Sequence, residues 1–193
     1  SWVGTPLMSV AAGGAVPQRL GSGFRGNVPN GAFPASDGYV FLSVGSNEAF
    51  YRLLDAIEAP GLRDDPAFAD NVTRVAHRQE VNAKLGAATV RFTMDDLLSR
   101  LDAAQVPHSA VNTLDRVLVD EQVVALGQLE EIEHAQLGGV TVVNTPLTID
   151  GQYLAHQYGP PLLGAHTVDV LASAGVDEER IARLLADGVI ETA

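Results

Sequence analysis

The chain has 193 residues, 46% of them apolar and 19% charged, which supplies enough hydrophobic side chains for a packed core and excludes a disordered chain. Its net charge is −12, from 12 basic and 24 acidic side chains, so the mean field repels nucleic-acid backbones and anionic membrane surfaces. Without a cysteine, disulfides, thiolate metal sites and a Cys nucleophile are excluded together.

Residues 1–36 are dense in Gly and Pro and read as an extended linker, with the end of a helix within 2–12. Asp37-Gly38 signals a turn, and the run from Tyr39 to Val44 reads as a strand. Asn47 is then the expected cap of a helix that buries Phe50, Leu53, Leu54 and Ile57, stopped by Pro60-Gly61. A second helical stretch opens at Asn71 and buries Val75, Val81 and Leu85. A third follows Thr93 and carries Leu97, Leu98 and Leu101, ending before Val106-Pro107. Beyond it come a short strand at 108–112, one or two short helices in 114–126, and a hairpin from Leu129 to His134 and Val140 to Val143. The last helical region spans 167–186, broken at Gly175, restarted by Asp177 and closed by Gly188.

Strands and helices mix without βαβ alternation, which predicts an α+β fold: a small domain with a short antiparallel sheet and packed helices, flanked by extended linkers and a C-terminal helix. The expected divisions are 1–36 (linker), 37–145 (small α+β domain) and 146–193 (returning linker and C-terminal helix). No run reaches the ~18 apolar residues of a membrane span. The N-terminus has no basic region leading into an apolar core, as a signal peptide would. A cytoplasmic location is the expectation.

The residues carry few catalytic signatures. Gly21-Ser22-Gly23-Phe24-Arg25-Gly26 matches G-x-G-x-x-G, but no strand precedes it and Pro29 prevents a helix from following, so it does not read as a dinucleotide fingerprint. No two of the five histidines lie at i, i+4, and no metal site is expected. There is no G-x-S-x-G elbow and no P-loop. The carboxylate groups Asp64-Asp65, Asp95-Asp96 and Glu130-Glu131-Glu133 read as solvated faces.

The informative feature is the order of several short segments. Phe24-Arg25-Gly26-Asn27 comes first, then Asp37-Gly38-Tyr39, Asn47-Glu48-Ala49-Phe50, and Leu62-Arg63-Asp64-Asp65-Pro66-Ala67-Phe68 with Asn71, Arg74 and Arg78 behind it. Ala103 to Pro107, Val111-Asn112-Thr113 and Gly164-Ala165-His166-Thr167 follow, with Gly188-Val189-Ile190 at the close. Together they resemble the C-terminal half of family III CoA-transferases, which include formyl-CoA, carnitine and bile-acid CoA-transferases and the α-methylacyl-CoA racemases. Three departures stand out. Ala165 replaces the usual Glu, Ala67 replaces a common Arg, and no glycine-rich active-site loop is visible between Asn27 and Asp37.

The resemblance implies an enzyme that transfers coenzyme A between carboxylic acids, with acyl-CoA as substrate and no metal. A large Rossmann-like N-terminal domain of the same enzyme would bind CoA, and two subunits would interlock as a homodimer. An aspartate of that large domain, upstream of residue 1, would attack the thioester, so this chain alone is expected to be inactive. It would close the cleft and select the acyl group, with Arg25 and Asn27 as substrate-binding candidates. Glu48 is a catalytic candidate only if the enzyme is a racemase, where it would assist α-proton transfer. A non-catalytic binding or assembly module is the third reading. The resemblance also implies exposed apolar surface around Trp2, Leu7, Val10 and Leu184-Leu185.

Overall fold

A computed structural model describes residues 3–154, 156 and 159–193 of the chain; Trp2 lies outside the described residues. In chain order the elements are α1 (Gly4–Ala11), β1 (Asn30–Pro34), β2 (Tyr39–Ser43), α2 (Asn47–Ala56), α3 (Asn71–Ala76), α4 (Arg78–Thr89), α5 (Met94–Ala103), β3 (His108–Ala110), α6 (Leu114–Leu118), α7 (Glu121–Ala125), β4 (Leu129–His134), β5 (Gly138–Val143), β6 (Thr148–Ile149), β7 (Gln152–Tyr153), α8 (Thr167–Ser173) and α9 (Glu178–Ala186). The fold is α+β, with short antiparallel sheets. Contacts divide it into two units, Ser1–Thr113 and Leu114–Ala193.

The first unit is built on the sheet β1-β2-β3. β2 is its centre, pairing with β1 from Asn30↔Ser43 to Pro34↔Tyr39 and with β3 from Val40↔Ala110 to Leu42↔His108. Alternation along β2 sends Val40 and Leu42 into the core and leaves Tyr39 more than half exposed. On the buried face, α2 contributes Phe50, Leu53 and Leu54, α4 contributes Val81 and Leu85, and α5 contributes Met94, Leu97 and Leu101.

Several local expectations are met, and others are displaced for physical reasons. Thr93 caps α5 by accepting from the amide of Asp96, and Asp177 caps α9 from Arg180. Asp37 accepts from the Met94 amide at 2.7 Å, so the Asp-Gly turn before β2 is tied to the start of α5. The cap of α2 is Ser46, not Asn47: Ser46 is extended and its hydroxyl accepts from the Ala49 amide, which frees the Asn47 side chain. The stretch from Asn71 is two helices, with His77 between them and Asp70 capping the first.

Residues 30–34, placed in a linker by their Gly and Pro content, form strand β1 and bury Phe33. β1 is an edge strand, where Pro34 removes no ladder bond that the sheet needs. Gly31 has φ of +148°, and a side chain there would meet Ser22 Oγ at 3.2 Å, so loop 22–23 can lie close against the strand.

The second unit holds the hairpin β4–β5, in register from Leu129↔Val143 to His134↔Gly138, then the small β6–β7 ribbon and helices α8 and α9. The hairpin had been expected within the domain ending at 145; by contacts it groups with the C-terminal segment. Asn144 closes its base, its side chain donating to Gly127 O at 2.8 Å and its backbone amide to Gln128 O. Ile181 is the only buried apolar side chain of this unit among the described residues. Leu163 is 96% exposed and lies on an apolar groove of about 520 Å³ with Leu162, Val170, Leu171 and Ile190. In the first unit, α1 buries none of its residues, and Leu7 and Met8 point to solvent. No helix among the described residues is long and apolar enough to cross a membrane.

Exposed apolar surface on this scale predicts self-association of the isolated chain. Sedimentation velocity over a concentration series is expected to show species heavier than 20.3 kDa; a sharp monomer throughout would contradict this.

Candidate functional site

The site assembles around one buried cation. Asn71, Arg74 and Arg78 stand at i, i+3 and i+7 of the α3–α4 stretch, a spacing that places them on one helical side. Arg74 is fully buried. Its Nε donates to Val28 O at 2.8 Å and its Nη1 to Asn47 Oδ1 at 2.9 Å and Phe68 O at 3.2 Å. The guanidinium stacks on the Phe50 ring at 4.1 Å, and its Nη2 is buried without a hydrogen-bond partner. Burial pushes the Arg74 pKa down, opposed first by the nearby Asp70 carboxylate; a guanidinium stays charged under such a shift.

The neighbours of Arg74 complete a clamp on residues 25–28. Arg78 Nη2 donates to Arg25 O at 3.0 Å and Asn71 Nδ2 to Gly26 O at 2.9 Å, while Asn71 Oδ1 accepts from the Val28 amide at 3.1 Å. Three polar side chains of α3 and α4 thus hold three of the four residues 25–28 by their backbone. The side chains of that loop are left for other work.

Arg25 is exposed, and among the described residues its guanidinium has no partner. Asn27 is half-buried and donates through Nδ2 to Val44 O at 3.3 Å, so it joins the loop to the end of β2. Glu48 lies in the first turn of α2, exposed, with its carboxylate 3.1 Å from Arg52 Nη1. Arg52 also donates to Ala104 O and Gln105 O at the end of α5. Arg74 links these places, since it bonds both Val28, next to Asn27, and Asn47, next to Glu48. Beside the loop, a cleft of about 260 Å³ is bordered by Leu20, Ser22, Asn30, Phe33 and Asn82. No group of three His, Asp or Glu side chains able to hold a metal ion occurs among the described residues.

The sequence named the loop residues but assigned no role to Asn71, Arg74 or Arg78. The available signal was their i, i+3, i+7 spacing, a polar stripe where the apolar positions of the same helices point to the core. Asp65 is tied to α4 by accepting from Lys84 Nζ, and it also accepts from the Ala67 amide in the turn before α3.

A family model described as CoA-transferase family III matches residues 1–167. The chain belongs to the CoA-transferase family III. It is 30% identical over 165 residues to the succinate–glutarate CoA-transferase of Agrobacterium fabrum, covering 86% of the chain and 41% of that protein. It is 30% identical over 190 residues to the succinyl-CoA:glutarate CoA-transferase of Mus musculus, covering 96% and 44%. The succinyl-CoA–D-citramalate CoA-transferase of Chloroflexus aurantiacus matches at 27% over 180 residues, covering 92% and 44%. Among solved structures, a CAIB/BAIF family protein from Brucella suis superposes with a TM-score of 0.74 at 29% identity, covering 91% of this chain and 44% of that one. The chain therefore spans less than half the length of the relatives it matches.

Arg74→Met is expected to leave the buried carbonyls of Val28 and Phe68 without donors, at about 1–3 kcal/mol each. Urea unfolding should therefore show a loss of about 2–5 kcal/mol, most of it persisting in Arg74→Lys, which cannot span three acceptors. A wild-type midpoint for both variants would remove Arg74 from the centre of the site.

The Lys84 hydrogen bond, aided by the Ala67 amide, holds the Asp65 pKa below its ordinary value of 3.8. A carboxylate lowered by folding stabilises the fold above its unfolded pKa, and that contribution is lost as pH falls through the folded one. Melting temperature should thus drop below about pH 4, and Asp65→Asn should flatten that drop. An unchanged acid limb in the variant would show that the pair contributes nothing.

Proposed function

We propose that this chain is the C-terminal part of an enzyme that transfers coenzyme A between carboxylic acids. The observation that carries the reading is the family match across residues 1–167, joined to relatives that are CoA-transferases by name over nearly the whole chain. The acids in those names (succinate, glutarate, citramalate) each carry two carboxylates, and dicarboxylic acids are the substrate class proposed here.

In this reading the nucleophile is an aspartate outside the chain, on an N-terminal domain. Its carboxylate attacks the acyl-CoA thioester and expels CoA thiolate, leaving a mixed anhydride. The thiolate attacks the aspartyl carbonyl and releases the first acid, leaving an aspartyl-CoA thioester. The second acid then enters by the reverse of these steps, so a single difficult exchange is divided into acyl transfers between activated species. The proportion of each relative that the chain covers supports a missing partner domain, and the exposed apolar residues of α1 and of the C-terminal unit support its docking here, within an interlocked homodimer. The contribution of this chain is to present the clamped loop 25–28, with Arg25 and Asn27 facing the acyl group.

The test is CoA exchange followed by mass spectrometry, with this chain alone and with the N-terminal remainder of its enzyme added. Exchange in the mixture and none with the chain alone is the expected result. Folded, associated halves that form no new acyl-CoA would overturn the proposal. Deuterium from solvent entering the α-carbon of a 2-methylacyl-CoA without exchange would replace it with racemisation, for which Glu48 is the candidate.

A further inference from the structure

We propose that Arg25 reads the free, distal carboxylate of a dicarboxylic acyl group and so sets the substrate class. The assignment rests on the transferase reading above and adds to it the residue that selects the acid. Three observations lead to it.

The first is where the charge lies. Residues 1–36 contain Arg19 and Arg25 and no Asp or Glu, a segment of +2 in a chain of −12, which leaves −14 on residues 37–193. The loop lies in the longest acid-free stretch of the chain, and that stretch is basic where the chain as a whole repels anions.

The second is the state of the guanidinium. Apart from Arg19, carboxylate partners hold four cations of the first unit: Arg52 to Glu48, Arg63 to Asp55, Lys84 to Asp65 and Glu80, and Arg100 to Glu58 and Asp96. Arg74 and Arg78 are spent on backbone carbonyls of the loop itself. The Arg25 side chain is exposed and, among the described residues, unpaired, while its own carbonyl is clamped at 3.0 Å and the next residue's at 2.9 Å. A free cation on a fixed backbone is preorganised for an incoming anion, because little of the loop must be ordered on binding.

The third is the chemistry of the ligand. Thioester formation consumes one carboxylate of a dicarboxylic acid and leaves the other ionised, and an ionised carboxylate enters a closed cleft at high cost unless it meets a cation. A planar guanidinium matches a single carboxylate with two parallel hydrogen bonds. Phe24, beside Arg25 and 57% exposed, offers an apolar face to the methylenes that separate the two carboxylates. The phosphates of coenzyme A are the competing source of negative charge. They carry several charges and call for several free cations, whereas Arg74 and Arg78, packed on the same loop, are committed to its carbonyls and leave Arg25 as the uncommitted guanidinium of residues 25–28.

The test is a competition in the complete enzyme. Glutarate and its two uncharged-end analogues, pentanoate and glutaramate, are offered together at equal concentration to one acyl-CoA donor, and the new acyl-CoA products are counted by mass spectrometry. The product ratio reports relative kcat/KM and is insensitive to the fraction of enzyme that is folded. The unaltered enzyme should favour glutarate. Arg25→Gln should lower the ratio of glutaryl-CoA to either analogue product about 10–100-fold, with Arg25→Lys between the two.

Equal loss of all three products, with the ratio kept, would overturn the assignment and place Arg25 on a CoA phosphate or in a structural role. A ratio and rate both unchanged would overturn it as well. An unaltered enzyme that prefers pentanoate would overturn the dicarboxylic class while leaving CoA transfer standing. One that forms no acyl-CoA from any acid would overturn the transferase reading, and this assignment with it.

Discussion

The join between loop 25–28, α2 and the turn before α3 centres on the guanidinium of Arg74. It is a full positive charge removed from water, and among the described residues no carboxylate is in hydrogen-bond contact with it. Such a group is tolerated only when its donors are met in a fixed geometry. Carbonyls of Val28 and Phe68 and the amide oxygen of Asn47 provide that geometry, and the Phe50 ring covers one face. The partners come from the loop before β1, the start of α2 and the turn before α3, segments far apart in sequence. One side chain thereby fixes the mutual positions of three elements, which apolar contacts alone would leave free to slide.

This arrangement separates rigidity from recognition. Side chains of Asn71, Arg74 and Arg78 act on backbone atoms, so the loop keeps its course whatever side chains it displays. Arg25 can then differ in identity without a structural penalty, which under the proposed reading is a useful property where an acyl group is chosen. Asn27 belongs to the other category. Its amide is engaged with Val44 O, and it serves the join between loop and sheet as much as any ligand.

The same distinction explains what the sequence revealed. Elements marked by apolar period and by a cap or a breaker were legible: β2 from its alternation, α5 from Thr93, α9 from Asp177 and Gly188, and the β4–β5 hairpin. β1 was not, because Gly31 and Pro34 are loop residues by propensity, and only pairing with β2 makes them part of a strand. Ser46 and Asn47 are both good caps; the choice between them fell to Arg74, a contact 27 residues away. The loop at 25–28 was found through family resemblance. Its clamp was hidden because Arg and Asn on a helix are ordinarily read as solvated.

The two units differ in what keeps them ordered. All but one of the buried apolar side chains among the described residues lie in the first. Ordering a residue costs about 1–2 kcal/mol in backbone entropy, and apolar burial is the main term that offsets it. Residues 114–193 bury Ile181 and leave Leu114, Val119, Val124, Leu163 and Val189 largely in water. Among the described residues, apolar burial of their own supplies little of that term. The relatives are more than twice as long as this chain, and under the proposed reading their additional length covers these residues. Assembly would then be a condition of folding for the second unit and, under the same reading, a condition of catalysis for the first, with the nucleophile supplied by the added domain.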